Sequence, residues 1–252
     1  MRYLMIATVL VWALALGSYA SAMDPGSYQG IYYGQANNVG QGYASSWISL
    51  DVDGTPLAYG LCLTPGFLQG LPSEDASYDV ALPPAMAVTG FDHVGLNWNP
   101  HGHAPDPIYG VPHFDLHFYL LSDAGLQQIS GMGDDKARTY AAPDADEVPA
   151  GYILAPDTGV PWMGAHWINP ASPEFNGKPF KATFIYGFYN GDMDFFEPMV
   201  AKSFLESKQP VTIDIPQPNK YPKAGYYPTR MSLSYDENQD MYILVLDKLV
   251  KQ

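Results

Sequence analysis

Residues 113–121 read His113-Phe114-Asp115-Leu116-His117-Phe118-Tyr119-Leu120-Leu121. On a β-strand, successive side chains point to opposite faces. Phe114, Leu116, Phe118 and Leu120 then form one unbroken apolar face, while His113, Asp115, His117 and Tyr119 form the other. The apolar face predicts packing against a core. The polar face predicts a cavity or a solvated surface.

The flanks carry the same β character. Gly (24) and Pro (23) are abundant among 252 residues, aromatic side chains make up 14%, and helix-period segments are scarce. Asp53-Gly54 between two apolar runs predicts a hairpin over 45–63, because such dipeptides supply the left-handed conformations a tight hairpin needs. Asn190-Gly191 predicts a second hairpin after the aromatic run Phe180 to Tyr189, and Glu237-Asn238 a third near the C-terminus. His93 to Trp98, Tyr152 to Leu154 and Trp162 to Ile168 read as further strands. Ser122-Asp123 opens a short capped helix to Ser130, and Pro198 suits the first turn of another helix to Leu205. The fold class expected is all-β or β-rich: one domain over 23–252, a barrel or sandwich with one or two short helices.

Residues 1–22 read as a cleaved secretory signal. Arg2 precedes the uncharged apolar run Leu4 to Leu16, and Ala20-Ser21-Ala22 offers the small residues of a cleavage site. The expected location is secreted or periplasmic. Without Arg2 the chain carries 11 basic side chains against 26 acidic ones. That excess argues against nucleic acid and anionic membranes as partners and leaves small molecules and metal ions. Cys62 is the single cysteine, so no intrachain disulfide can form. Stability has to come from the core, from assembly into a homo-oligomer or from bound metal.

Five of the six histidines lie within Phe91 to Leu121, and the sixth, His166, sits in Gly164-Ala165-His166-Trp167. Imidazoles with a carboxylate are the ligand set of zinc and similar divalent metals. His103, His113, His117, His166 and Glu197 are the candidate metal ligands, and Asp115 can ligate or orient a histidine. Strand geometry constrains them. Positions i and i+4 lie about 13 Å apart at a rise near 3.3 Å per residue, whereas i and i+2 lie about 6.6 Å apart. Sharing one ion between His113 and His117 therefore requires a bulge or bend. Convergence of His113, His117, His166 and Glu197, with His103 close by, is the expectation to be tested. His93 and His101 read as structural. No Gly-x-Ser-x-Gly elbow, Walker loop or dinucleotide fingerprint occurs.

Val111-Pro112-His113-Phe114-Asp115-Leu116-His117-Phe118-Tyr119 occurs together with Asn97-Trp98-Asn99-Pro100, Gly102-His103, Gly164-Ala165-His166-Trp167 and Phe196-Glu197-Pro198-Met199. In this the chain resembles an uncharacterised bacterial family of secreted domains with a Thermus representative. The resemblance spans about Trp47 to Leu205. It implies no activity. It marks His103, His113, Asp115, His117, His166 and Glu197 as the positions to test. The histidine spacing is loosely similar to that of cupin metal barrels, but it departs from their paired His-x-His strand and following glutamate, so cupin chemistry is not carried over. Three functions remain open: a metal-dependent enzyme acting on a small molecule, a noncatalytic binder of metal or a small ligand, and an oligomeric envelope protein with structural histidines.

Overall fold

The computed structural model describes residues 30–252. The expected signal segment lies outside the described residues. Strands account for 43% of the described residues and helices for 15%, well below the roughly one-third helix usual in globular proteins. This is the β-rich fold expected, and it takes the form of a sandwich with no closed barrel.

The first sheet contains β1 (Gly30–Tyr33), β2 (Asn37–Val39), β3 (Gly42–Leu50), β4 (Pro56–Leu63), β12 (Val211–Asp214), β14 (Arg230–Asp236) and β15 (Met241–Asp247). Its order is β1-β3-β4-β15-β14-β12, with β2 beside β3. The second sheet contains β5 (Ala76–Val80), β6 (His93–Asn99), β7 (His113–Tyr119), β8 (Ile153–Val160), β9 (Gly164–Ile168), β10 (Ala182–Tyr189) and β11 (Asp192–Ala201). Its order is β5-β6-β7-β11-β10-β9-β8. A small pair, β13 (Tyr226–Tyr227) with β16 (Val250–Lys251), completes the strands. Neighbouring strands are antiparallel throughout.

The hairpins form where turn chemistry places them. Asp51 Oδ1 accepts the N–H groups of Asp53 and Thr55 at 2.9 and 2.8 Å, and Gly54 turns the chain at φ +79°. Asn190 and Gly191 have φ values of +56° and +87°, the two left-handed residues of a tight hairpin.

The main core lies between the sheets. Phe114, Leu116, Phe118 and Leu120 all belong to it, as their alternation predicts. Tyr59 of β4 packs on Phe118 of β7, and Phe67 bridges Phe114 and Tyr242. The histidine face of β7 therefore points away from the first sheet. It is nevertheless buried, because the second sheet is curled. Its two edge strands, β5 and β8, both line one cavity together with the central strands. The site occupies the concave face of that sheet.

Both helix expectations need correction. The first helix, α1 (Asp123–Leu126), is capped by Ser122 but stops well short of residue 130. Beyond it, Ser130 N and Gly131 N donate to Asp135 Oδ2, which draws the chain into a loop. A further turn, α2 (Lys136–Thr139), follows, and the last, α3 (Lys202–Glu206), begins only after β11. Pro198 is not a helix start; it lies inside β11. The strand tolerates it because the β7–β11 register passes from Phe196↔Phe118 to Met199↔Asp115 with no pair at Glu197 or Pro198. A residue without an N–H suits such a break. Among the described residues, no helix is long and apolar enough to cross a membrane.

Candidate metal centre

Alternation on β7 sends His113, Asp115 and His117 to the concave face, where they are 0, 4 and 1% exposed. From β11 comes Glu197, fully buried, and from β9 comes His166. His103 reaches in from the loop between β6 and β7. The expected single convergence resolves into two adjacent groups of three. His103, His113 and Asp115 form one triad, and His117, His166 and Glu197 the other. Within each, one ligand atom per residue lies within 4.8 Å of the others. The split follows from strand spacing: β7 is regular across His113 to His117, so the two imidazoles cannot close on one ion. Asp115, the residue between them, is itself a candidate ligand.

The approaches are short. His113 Nε2 lies 3.1 Å from Asp115 Oδ1, and His103 Nε2 lies 3.4 Å from Asp115 Oδ2. In the second triad, His117 Nε2 and His166 Nε2 lie 3.5 and 3.6 Å from the two oxygens of Glu197. Ligands at about 2.1 Å around a tetrahedral ion sit roughly 3.3 Å from one another. A cation fits either triad with little movement.

The four imidazoles are all oriented through Nδ1. His103 Nδ1 donates to Ala104 O, His113 Nδ1 to Val111 O, and His166 Nδ1 to Thr158 O, at 2.8, 2.7 and 3.0 Å. Carbonyl oxygens only accept, so Nδ1 must carry the proton. His117 Nδ1 lies 2.9 Å from Asn97 Oδ1, and the Asn97 amide is itself fixed by donating Nδ2–H to Ser77 Oγ. In the neutral tautomer this leaves a lone pair on each Nε2, directed at a carboxylate. The buried atoms His113 Nε2, His117 Nε2, Asp115 Oδ1 and both Glu197 oxygens accordingly make no hydrogen bond among the described residues. Acceptor facing acceptor is costly in a buried site unless a cation or a proton lies between them.

The electrostatics differ between the triads. Burial, together with neighbouring imidazoles, pushes His117 down to about 3 even though Asp115 opposes the shift. Burial likewise pushes His166 down to about 4. Both rings are neutral at physiological pH. Burial raises the Glu197 carboxyl well above its usual range, and the Asp115 charge adds to this. Burial also opposes ionisation of Asp115, but its contacts with His103 and His113 outweigh that and hold it far below the usual carboxylate range. His103 is shifted up: burial works against its charged form, and Asp115 overcomes it. Asp115 thus favours its charged form, whereas the Glu197 carboxyl of the second triad favours its protonated form, and a cation can take the place of that proton.

Residues beyond the expected ligands shape the centre. Asn99 Nδ2 donates to Asp115 Oδ2 at 2.7 Å, and Asn97 orients His117. Asn97 and Asn99 alternate along β6, so a period-two reading of Asn97-Trp98-Asn99 could have found them. The Phe195 ring packs edge-on against both His117 and His166, with centroids at 4.8 and 5.1 Å. Gly187 makes room for it, since a Cβ there would meet that ring at 2.0 Å. His93 lies outside the centre, between Asp92 and Asp123 and stacked on Tyr119. His101 is exposed and belongs to neither triad.

A cavity of about 350 Å³ opens onto both triads, touching His103 and Asp115 of one and His166 of the other. Fold and site together define a β-sandwich protein with two adjacent triads, each of two histidines and a carboxylate, positioned to hold metal. No protein-family model, curated protein or solved structure matches this chain.

Proposed function

We propose that this protein binds two divalent cations, zinc or a similar ion, and uses them for metal-dependent chemistry on a small molecule held in the cavity. The observation that carries this reading is the set of buried lone pairs facing one another across each triad, with every imidazole fixed through its other nitrogen. Orientation of ligand histidines by outer hydrogen bonds is a hallmark of metal sites. Three protein ligands per ion leave a coordination position for water or substrate, the arrangement of catalytic rather than closed structural zinc. An ion in that state acts as a Lewis acid or lowers the pKa of a bound water towards neutrality. The two triads are separated along β7 by about one i, i+2 step, roughly 6.6 Å. That exceeds the about 3.5–4 Å of bridged two-metal sites, so each ion would act as its own centre.

The test is elemental analysis of the protein purified without a histidine tag, before and after incubation with zinc. The expected result is two equivalents per chain, with X-ray absorption showing nitrogen and oxygen neighbours and an exchangeable water. A shell filled by protein ligands alone would make the protein a noncatalytic binder. No stoichiometric metal under either condition would overturn the reading and leave the histidines structural.

The leader-like residues 1–22 support export to the periplasm or the medium. Mass spectrometry of the exported protein should find a chain lacking those residues. An intact Met1 in that fraction would refute it.

A further inference from the structure

We infer that the cavity takes a small molecule with an apolar body, a single oxygen-donor head for one of the metals and no negative charge on its far end. This rests on the metal-binding reading above and goes on to the substrate class. Three observations carry it.

First, apart from Asp75 and Asp157 at the rim, the polar side chains of the wall are already engaged with the protein. Asn97 spans His117 and Ser77, Asn99 holds Asp115, and Thr158 Oγ1 donates to Ala155 O at 2.8 Å. The Trp98 indole donates to Pro72 O, and the Tyr109 phenol donates to Glu174. Both aromatics therefore present carbon to the cavity and turn their polar atoms away. Away from the rim, a sugar or a peptide would bury hydroxyls or amides with few partners, and each unpaired group weakens binding.

Second, the rest of the wall is hydrocarbon: Ala155, Val160, Met163, Ile168 and Ile185. The volume, about 350 Å³, is at the small end of ligand pockets. The metals are then the one strong polar anchor, and burial of a compact apolar body supplies the remaining affinity.

Third, no Lys or Arg lines the cavity among the described residues, while Asp75 and Asp157 stand exposed at its rim. The side away from the triads is therefore acidic. A negative tail would meet two carboxylates and no cation.

The test uses zinc-loaded full-length protein and four probes that share one chelating head. Benzohydroxamic acid has an apolar body. Its para-carboxylate and para-trimethylammonium derivatives add one charge, and gluconohydroxamic acid carries the same head on a polyhydroxylated body. Affinities are measured by titration calorimetry, with zinc content recorded on the same samples. The neutral and cationic aromatic probes should bind at least roughly tenfold more tightly than the para-carboxylate, the scale that two partly screened rim charges allow. The gluconic probe should be weaker than benzohydroxamic acid by a similar factor. Asp75→Asn with Asp157→Asn should narrow the gap for the carboxylate and leave zinc content unchanged. Asn is among the residues that tolerate the left-handed conformation at position 157. Equal affinity for all four probes, or preference for the carboxylate or the polyol, with zinc bound, overturns the substrate class alone. A chain that takes up no zinc overturns the metal reading and this one with it.

Discussion

Glu197→Gln should cut the metal content of the purified protein from two equivalents to one, and Asp115→Asn should do the same at the other triad. Each triad contains one carboxylate and two imidazoles, so either change removes the only anionic ligand of one centre. An amide oxygen is a far poorer partner for zinc, and three-ligand sites have no ligand to spare. The double variant should retain no stoichiometric metal. The two single variants separate again in the metal-free state, because the two carboxylates are perturbed in opposite directions. Glu197 has a folded-state pKa above its unfolded value. Its contribution is favourable at acid pH and lost as pH rises through the folded value, so at neutral pH its ionisation opposes folding. The isosteric amide relieves this, and metal-free Glu197→Gln should melt higher than the unaltered chain at pH 7. Asp115 has a folded-state pKa below its unfolded value. Its contribution is present above the unfolded pKa and lost as pH falls, so metal-free Asp115→Asn should melt lower at pH 7. If either single variant loses both ions, the triads form one site. If both variants keep two ions, neither carboxylate is a ligand.

Much of this centre was legible because β-structure has a period of two. His113, Asp115 and His117 could be placed on one face, and Phe114, Leu116, Phe118 and Leu120 on the other, from alternation alone. The turns at Asp53-Gly54 and Asn190-Gly191 were legible for a similar reason, since few residues adopt left-handed backbone readily. The pairing of ligands was not legible. Whether His103 joins His113 or His117 depends on how the loop before β7 folds over the sheet, and loop paths leave no periodic trace. Asp115 was read as a ligand or as the acceptor that orients a histidine, because only the carbonyls of Ala104 and Val111, which take the Nδ1 protons of His103 and His113, show that the orienting role is filled elsewhere. Pro198 misled for a physical reason. It is a good first residue of a helix, and only the lateral register of β7 against β11 shows that the strand ladder breaks where its missing N–H would fall. The curl that buries the polar face is also a tertiary property. Alternation shows that a face is polar; it does not show that two distant edge strands will enclose it.

The largest effect on stability should come from the other side of the strand that bears Glu197. Phe196 is fully buried between the sheets. Its ring meets Phe91 at 5.2 Å, Tyr186 at 4.9 Å, and Phe184 and Tyr227 at 5.8 Å, mostly edge to face. Truncation to Ala removes the ring and leaves a cavity that four other rings and two sheets cannot readily fill. Such changes cost about 3–5 kcal/mol, a large part of the roughly 5–15 kcal/mol that holds a typical domain together. The denaturant midpoint of Phe196→Ala should fall accordingly, with little change in slope if the variant still unfolds in one step. Phe196→Leu retains most of the volume and should cost far less. The position also bears on the metal centre, because Glu197 is the next residue and β11 has no β7 pairing there. Divalent metal bound only by the folded state should restore part of the lost midpoint in Phe196→Ala, by an amount that grows with metal concentration. Phe196→Leu should keep both equivalents. If Phe196→Ala loses under about 1 kcal/mol, the aromatic cluster is not the core that fixes β11, and the placement of Glu197 must depend on other packing.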